Sequence, residues 1–477
     1  MTDNLHHTLH TWATSHGASL NISVEVRQDD HSGAGFRVKA GAEIHPGDHI
    51  VSCPTSLTLS YLNALPNPPP SFRKDPSSPP FPEEFLASAP PHVVGRFFLI
   101  QQYLLGQDSF WWPYIRSLPQ PDRPSSLPLP PFWDEDDLEL LRGTNLEVSV
   151  REIKATLDRE FRDSKKALEG WGQRSEYTPR LYNWAYAIFT SRSFMPSLVI
   201  PRCDELKLPD GVRSWNDFSI LMPLFDVGNH SITAKTSWGT VEGKGCNLVT
   251  RDGHSGGQEI FNNYGMKTNA QLLLAYGFVI PAREELHNDY IHIRKRVPPG
   301  SDGSDVDGSQ KPPEYLFSLR PMTHPSSVLG RALQSESIAP EDVFPAFRLV
   351  QDAMILDIAE QVLQNNPALG PSSSSTTGES GLLRRILTID LPPESSQLVN
   401  IIIATIQQKA LQELEKLDES EVEVDEGQEA DLEPCQRVAL YYRRRCREVL
   451  EGVMESIEAA VEDERYVALM RGVTLER

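Results

Sequence analysis

The stretch "PLFDVGNHSITAKTSWG", Pro223 to Gly239, read together with "GQEIFNNYGMKTNAQLLLAYGFV", Gly257 to Val279, decides the fold. It holds an Asn-His pair at Asn229 and His230, a Tyr-Gly turn at Tyr264 and a second Tyr-Gly at Tyr276. None of these residues has the spacing of a metal-ligand cluster or the glycine pattern of a phosphate-binding loop. There is no obvious acid–base pair among them either. Their purpose has to be read from the rest of the chain.

The chain has 477 residues, which implies two or three domains. Hydrophobic residues make up 39%, with 18 Phe and 8 Trp, enough for a substantial core. No run of apolar residues is long enough for a transmembrane helix, so no membrane association is expected. The N-terminus, "MTDNLHHTLHTWATSHG", lacks the basic and apolar regions of a secretory signal. It reads as a helix with Leu5, Leu9 and Trp12 on one side. The five cysteines, Cys53, Cys203, Cys246, Cys435 and Cys446, form no C-x-x-C pair. That argues against structural zinc and against a disulfide scaffold, and no metal site is expected. A reducing compartment, cytoplasm or nucleus, follows as the simplest location. The net charge of −21 argues against direct nucleic-acid binding, which needs a basic footprint. The charge either attracts a basic protein partner or serves solubility alone. Oligomeric state is not legible.

Residues 20–60 read as short strands. Apolar residues alternate in "FRVKA" and "HIVSC", and Gly or Pro punctuates the segment. Residues 64–131 are proline-rich but enclose a helical pattern, "VVGRFFLIQQYLLG". Helical spacing continues through 134–194, and strand and turn character returns over 218–280. "QLLLAYGF" is open between a short helix and a buried segment. "PPGSDGSDVDGSQKPP", 298–313, has the composition of a linker, and the chain beyond it reads as helical to the end. A second low-complexity segment occupies 370–381. An acidic tract from Glu413 to Glu433 carries 11 acidic residues against the single Lys416, the pattern of a solvated loop.

In order along the chain, "GAGFRVKAGAEIHPGDHIVSCP", "FWWPYIRSLP", "PFWDEDDLELLRGTNL", "WAYAIFTSRSF", "FDVGNHS" and "GQEIFNNYGMKTNAQLLLAYGFV" resemble the SET-domain protein methyltransferases. The similarity is to the branch of the Rubisco large-subunit and ribosomal-protein lysine methyltransferases, and it runs from about residue 20 to 281. Any one piece is weak; the ordered set is specific. The resemblance implies an α+β fold, with a β-rich SET core, a knot-like C-terminal segment and a helical insert at about 62–205. An α-helical C-terminal domain at 314–477 is expected to bind substrate. Residues 1–19 form the N-terminal helix and 282–313 the connection.

By the same resemblance the cofactor is S-adenosylmethionine. Gly33, Ala34 and Gly35 stand at the family's Gly-x-Gly segment, where glycine permits close backbone approach. Ala34 replaces the usual polar residue. Arg192, in the "SR.F" segment, suits the methionine carboxylate. Asn229 and His230 match the cofactor-binding pair, Asp226 the acidic residue before it, and Gly228 replaces a larger apolar residue. Tyr264 matches the catalytic tyrosine and also touches the cofactor. Tyr276 matches the second catalytic tyrosine and, with Phe278, lines the substrate channel; Asp226 stands at its wall or serves structure. Asn269 is expected to fix the turn carrying Tyr264. Methyl transfer is an in-line displacement that needs orientation, a dry channel and oxygen atoms, which accounts for a site built of Tyr, Asn and His. The expected activity is methylation of a lysine on a non-histone protein, ribosomal or translational by class. Histidine methylation and a non-catalytic SET-like peptide-binding module are the alternatives.

Overall fold

The strand pattern expected over 20–60 forms as small antiparallel sheets. The computed structural model describes residues 2–29, 33–123, 128–209, 212–241, 245–295, 314–370, 379–422, 424 and 429–472. The expected linker at 298–313 lies outside these residues. So do 371–378 of the low-complexity segment, and 423 and 425–428 of the acidic tract.

The chain forms two compact units. The first holds Met1–Phe132 and Arg151–Gly265, the second Trp133–Val150 and Met266–Arg477. Strands of the first unit are β1 (Ser19–Leu20), β2 (Val24–Asp29), β3 (Gly33–Val38), β4 (Glu43–Ile44), β5 (His49–Cys53) and β6 (Leu59–Ser60). They are followed by β7 (Ser193–Phe194), β8 (Ile220–Leu221), β9 (Thr236–Val241), β10 (Gly245–Thr250), β11 (His254–Ser255) and β12 (Glu259–Ile260). They pair as β1-β5-β10-β9, β12-β3-β2, β6-β8-β7 and β11-β4. Sequence-distant strands therefore meet: β3 sits between β2 and β12, with Phe36 opposite Ile260 and Arg37 opposite Glu259.

Several helices brace this unit, among them Thr2–Ser15, Pro91–Leu105 and Pro179–Arg192. Pro91–Leu105 begins with proline in its first turn, where the missing N–H costs nothing, and buries Val94, Phe97, Phe98 and Ile100. Pro179–Arg192 is capped by Thr178, whose side chain accepts from the Leu181 N–H, and it ends at Arg192 because Ser193 turns extended. That ending places Arg192 at the mouth of the short strand β7.

The second unit carries the helices Asn269–Tyr276, Asp352–Asn365, Ser396–Glu419 and Pro434–Ala460, with Ile355, Ile402, Ile406 and Val449 in its core. Helical spacing alone missed one element here. Glu314–Ser318 is a strand, β14, paired antiparallel with β13 (Tyr290–Arg294). The partner is distant in sequence, so local periodicity could not announce it. At Gly143, φ is +72° and an added Cβ would lie 2.3 Å from the Lys416 carbonyl oxygen, so only glycine fits. Arg443, buried, donates to the carbonyls of Leu417 at 2.6 Å and Ser420 at 2.8 Å, closing the C-terminal end of helix 396–419 where a cation is favoured.

Candidate active site

The first unit gathers residues from four separated segments. From β3, Gly35 carries no Cβ; one built there would stand 2.6 Å from Glu259 Oε1 and 2.9 Å from Asn229 Nδ2. Those two atoms are themselves joined: Asn229 Nδ2 donates to Glu259 Oε1 at 2.8 Å. The glycine thus makes room for a side-chain pair. Glu259 also lies 3.7 Å from Arg37, which pairs with Asp29 at 3.2 Å. Gly33 has φ +74°, a left-handed conformation that glycine takes readily. Ala34 is half-buried against the core.

The Asn-His segment runs beside the Tyr-Gly segment. The Asn262 N–H donates to the Asn229 carbonyl at 2.7 Å, and the Ser231 N–H donates to the Asn262 carbonyl at 3.0 Å. This is a short parallel pairing of His230 with Asn262. Tyr264 is tied to the same segment twice. Its N–H donates to His230 Nδ1 at 3.1 Å and its phenol donates to the Gly228 carbonyl at 2.9 Å. The two rings stack, with centroids 4.9 Å apart and planes 18° from parallel. Trp238 Nε1 donates to Asn262 Oδ1 at 2.8 Å, and Gly265 donates to Asn263 Oδ1 at 2.9 Å, holding the turn.

Gly228 also has a packing reason. A Cβ there would meet the Phe36 ring at 3.1 Å and Asn262 Cβ at 3.4 Å. A side chain at 228 would press on that ring, which would have to shift by a few tenths of an ångström.

Arg192 and Asp226 form the third part. Arg192 Nη1 lies 3.5 Å from Asp226 Oδ2; the arginine side chain is 30% exposed and the aspartate 1%. Tyr114 donates its phenol to Asp226 Oδ2 at 2.8 Å. Burial raises the Asp226 carboxyl above its ordinary range, against the pull of Arg192 and Tyr114. Burial works to lower the Arg192 value, but Asp226, then the phenols of Tyr114 and Tyr264, outweigh it, so Arg192 stays charged. The arginine therefore presents a cation held from behind by a buried carboxylate. Asp226 faces Arg192 and Tyr114 and is not an open wall.

Tyr276 and Phe278 belong to the second unit, where their rings meet edge to face at 6.2 Å. Burial pushes the Tyr276 phenol up to about 12. Lys267 lies 5.8 Å from the Tyr276 ring centre, and burial lowers its ammonium below the usual lysine range. Asn269 does not hold the Tyr264 turn. Its amide bonds Ile280 and Asp289 instead, while Asn262, Asn263 and His230 hold Tyr264. Sequence reading missed Glu259, Tyr114 and Trp238. Their only signal was a polar or aromatic residue inside a strand or helix pattern, and their partners lie 24 to 112 residues away.

Among the described residues no group of His, Cys, Asp and Glu could hold a metal ion, and no helix is long and apolar enough to cross a membrane. No protein-family model matches the chain. Over 277 residues it is 28% identical to the ribosomal lysine N-methyltransferase set10 of Schizosaccharomyces pombe, covering 56% of this chain and 45% of the relative. It is 24% identical over 273 residues to the actin-histidine N-methyltransferase of Gallus gallus, covering 56% and 41%. It is 24% identical over 314 residues to the protein-lysine N-methyltransferase EFM1 of Saccharomyces cerevisiae, covering 56% and 48%. Each match spans less than half of the relative's length. The SET domain of the Rubisco methyltransferase LSMT bound to lysine and AdoHcy superimposes with a TM-score of 0.61 at 15% identity, over 98% of this chain and 93% of that one. The AdoMet-bound structure of Rubisco LSMT gives 0.59 at 16%, with the same coverage. The chain has the mixed helix-and-sheet, SET-like fold of those structures, and its homologues are SET-domain-like protein methyltransferases.

Proposed function

We propose that this chain is an S-adenosylmethionine-dependent methyltransferase acting on a lysine of a non-histone protein. The observation that carries the reading is the double tie of Tyr264 to Gly228 and His230, which joins the two motifs into one cluster beside Arg192. The residues present fit the cofactor: a partly exposed arginine paired with a buried aspartate suits a carboxylate ligand, and the asparagine and histidine lie on the segment to which Tyr264 is tied. In this reading Arg192 holds the methionine carboxylate. Asn229, His230 and the backbone of Gly33, Ala34 and Gly35 hold the remainder. Asp226 acts through Arg192 and does not touch substrate.

When bound, S-adenosylmethionine supplies a methyl group on a positively charged sulfur. The chain's part is to orient and dry the site. Tyr264 positions the methyl group with its hydroxyl and with the Gly228 carbonyl it holds. Tyr276 and Phe278 line the channel, and a phenol raised to about 12 stays protonated at neutral pH, while its oxygen can accept from an N–H of an incoming amine whose lone pair faces the methyl group. That amine reacts only when neutral, and its ordinary pKa is about 10.4.

The SET domain in this proposal spans 20–281, with its helical insert at about 62–205 and the paired segments around Asn229 and Asn262 as its knot-like part. Residues 282–313 connect it to a helical region, 314–477, that docks the protein substrate. That substrate is basic, to match an acidic chain, and translational by analogy with the set10 relative. The location is cytoplasm or nucleus. The actin-histidine relatives support histidine as the second reading.

Radiolabelled methyl transfer from S-adenosylmethionine into a cell lysate tests this, with mass spectrometry of the labelled protein. Methyllysine is expected; methylhistidine selects the second reading. A folded chain that binds S-adenosylmethionine yet labels nothing is a binding module, and the enzyme reading is then wrong. Tyr264→Phe should lower kcat on the order of 10²-fold with cofactor affinity nearly unchanged.

A further inference from the structure

The loop that follows helix 269–276 carries Tyr276 at its start and Phe278 beyond the helix-ending Gly277, whose φ is +79°. Farther along the loop the Ala282 N–H donates to the Tyr441 phenol oxygen at 3.0 Å, and nearer the two rings a single side chain holds Ile280. Asn269, fully buried, accepts from the Ile280 N–H at 2.8 Å and donates through Nδ2 to the Ile280 carbonyl at 2.9 Å. The amide thus pairs with both backbone groups of Ile280, as a neighbouring strand would. Its second N–H goes to Asp289 Oδ1 at 2.7 Å. The Asn269 backbone N–H donates to the Asn288 carbonyl at 2.8 Å, and the Asn288 amide donates to the Lys267 carbonyl at 3.0 Å. Both donors of the Asn269 amide are therefore used.

An amide with both N–H groups committed has one orientation. If Asp289 were removed, the amide could swing and release Ile280. The chain between Tyr276 and Ile280 is only three residues long, so such a release would be felt at both rings.

We propose that Asn269, locked by Asp289, is a positioning residue that fixes the Tyr276–Phe278 wall against which the target side chain is placed. The proposal rests on the reading of Tyr276 and Phe278 as channel residues. It predicts that these two buried residues act on turnover and product, while the cofactor cluster in the other unit is unaffected.

The experiment uses full-length Asp289→Ala, Asp289→Asn and Asn269→Ala. Hydrogen exchange of the peptide covering 277–281 is followed alongside methyl transfer. Exchange at Ile280 should quicken at least tenfold in Asp289→Ala and Asn269→Ala, because that N–H loses its fixed acceptor. In Asp289→Ala kcat should fall on the order of tenfold to a hundredfold, the scale of a misplacement near 1 Å. The ratio of singly to multiply methylated product should shift as well, while S-adenosylmethionine affinity stays within twofold. Asp289→Asn keeps an acceptor for Asn269 and should restore exchange and turnover to within threefold of wild type. If Asn269→Ala does not fold, the two Asp289 variants decide. Faster exchange with unchanged kcat, KM and product ratio overturns the positioning role. Unchanged exchange in Asp289→Ala overturns the clamp itself. Absence of transfer by the wild-type protein overturns the functional reading, and this role with it.

Discussion

Replacing Gly35 by alanine tests the first link between backbone and site. The new Cβ would lie 2.6 Å from Glu259 Oε1 and 2.9 Å from Asn229 Nδ2. Carbon prefers about 3.5 Å or more to its neighbours, so both atoms must retreat by several tenths of an ångström to about 1 Å. Both are side-chain ends, so the backbone of β3 need not move. What must give is the 2.8 Å bond between them. A hydrogen bond to a charged group is worth about 1.5–3 kcal/mol net. If Asn229 is oriented by Glu259 to receive the cofactor, S-adenosylmethionine should bind about tenfold to a hundredfold more weakly. Stability should fall less, by under about 2 kcal/mol, because the freed groups are only partly buried and can hydrate. Calorimetric titration and urea unfolding measure the two effects. Gly33→Ala is the control: no atom lies within 4 Å of its Cβ, and its φ of +74° makes the cost conformational, about 1–2 kcal/mol. A Gly35→Ala protein that binds S-adenosylmethionine like wild type would refute the role given to Asn229. One that unfolds would show that Gly35 serves packing.

Gly228→Ala should act on stability, since its Cβ meets the fully buried Phe36 ring at 3.1 Å; a loss of about 1–3 kcal/mol by urea unfolding is expected, and none would mean the ring yields freely. Acid should expose a buried ion cluster in the first unit. Burial of Glu160 disfavours its charge, but hydrogen bonds from His92 and Tyr182 and the charges of Arg96 and His92 more than offset this and lower it to about 2. A lowered carboxyl stabilises the fold fully above its unfolded value of 4.5 and loses that contribution as pH falls through 2. At 1.36 kcal/mol per unit the contribution is about 3 kcal/mol. Glu160→Gln should therefore narrow its stability gap to wild type between pH 5 and pH 3; an unchanged gap in urea midpoints would refute the assignment.

The order of motifs was legible without coordinates, because each motif is local. A glycine, an Asn-His pair and a Tyr-Gly turn are short, and their order along the chain is specific. The helix at Pro91–Leu105 was legible for the same reason, through apolar spacing, whereas "QLLLAYGF" stayed open between a helix and a buried segment until its place in Asn269–Tyr276 was seen. What the motifs touch was not legible. Glu259 lies opposite Arg37 and over Gly35 only because β12 pairs with β3, more than 200 residues apart in the chain. Gly228 has no evident reason until the Phe36 ring is placed against it. The strand Glu314–Ser318 was hidden within a region of helical spacing because its partner, Tyr290–Arg294, supplies the hydrogen bonds that make it a strand. Asn269 was assigned to the wrong turn, since a buried amide bonds whichever backbone groups the fold brings to it, and here those belong to Ile280. Residue type and short-range pattern thus determined the parts and their order. Hydrogen-bond partners, the room for each glycine and the charge behind Arg192 were decided by tertiary structure, because each depends on atoms that meet only when distant segments pack.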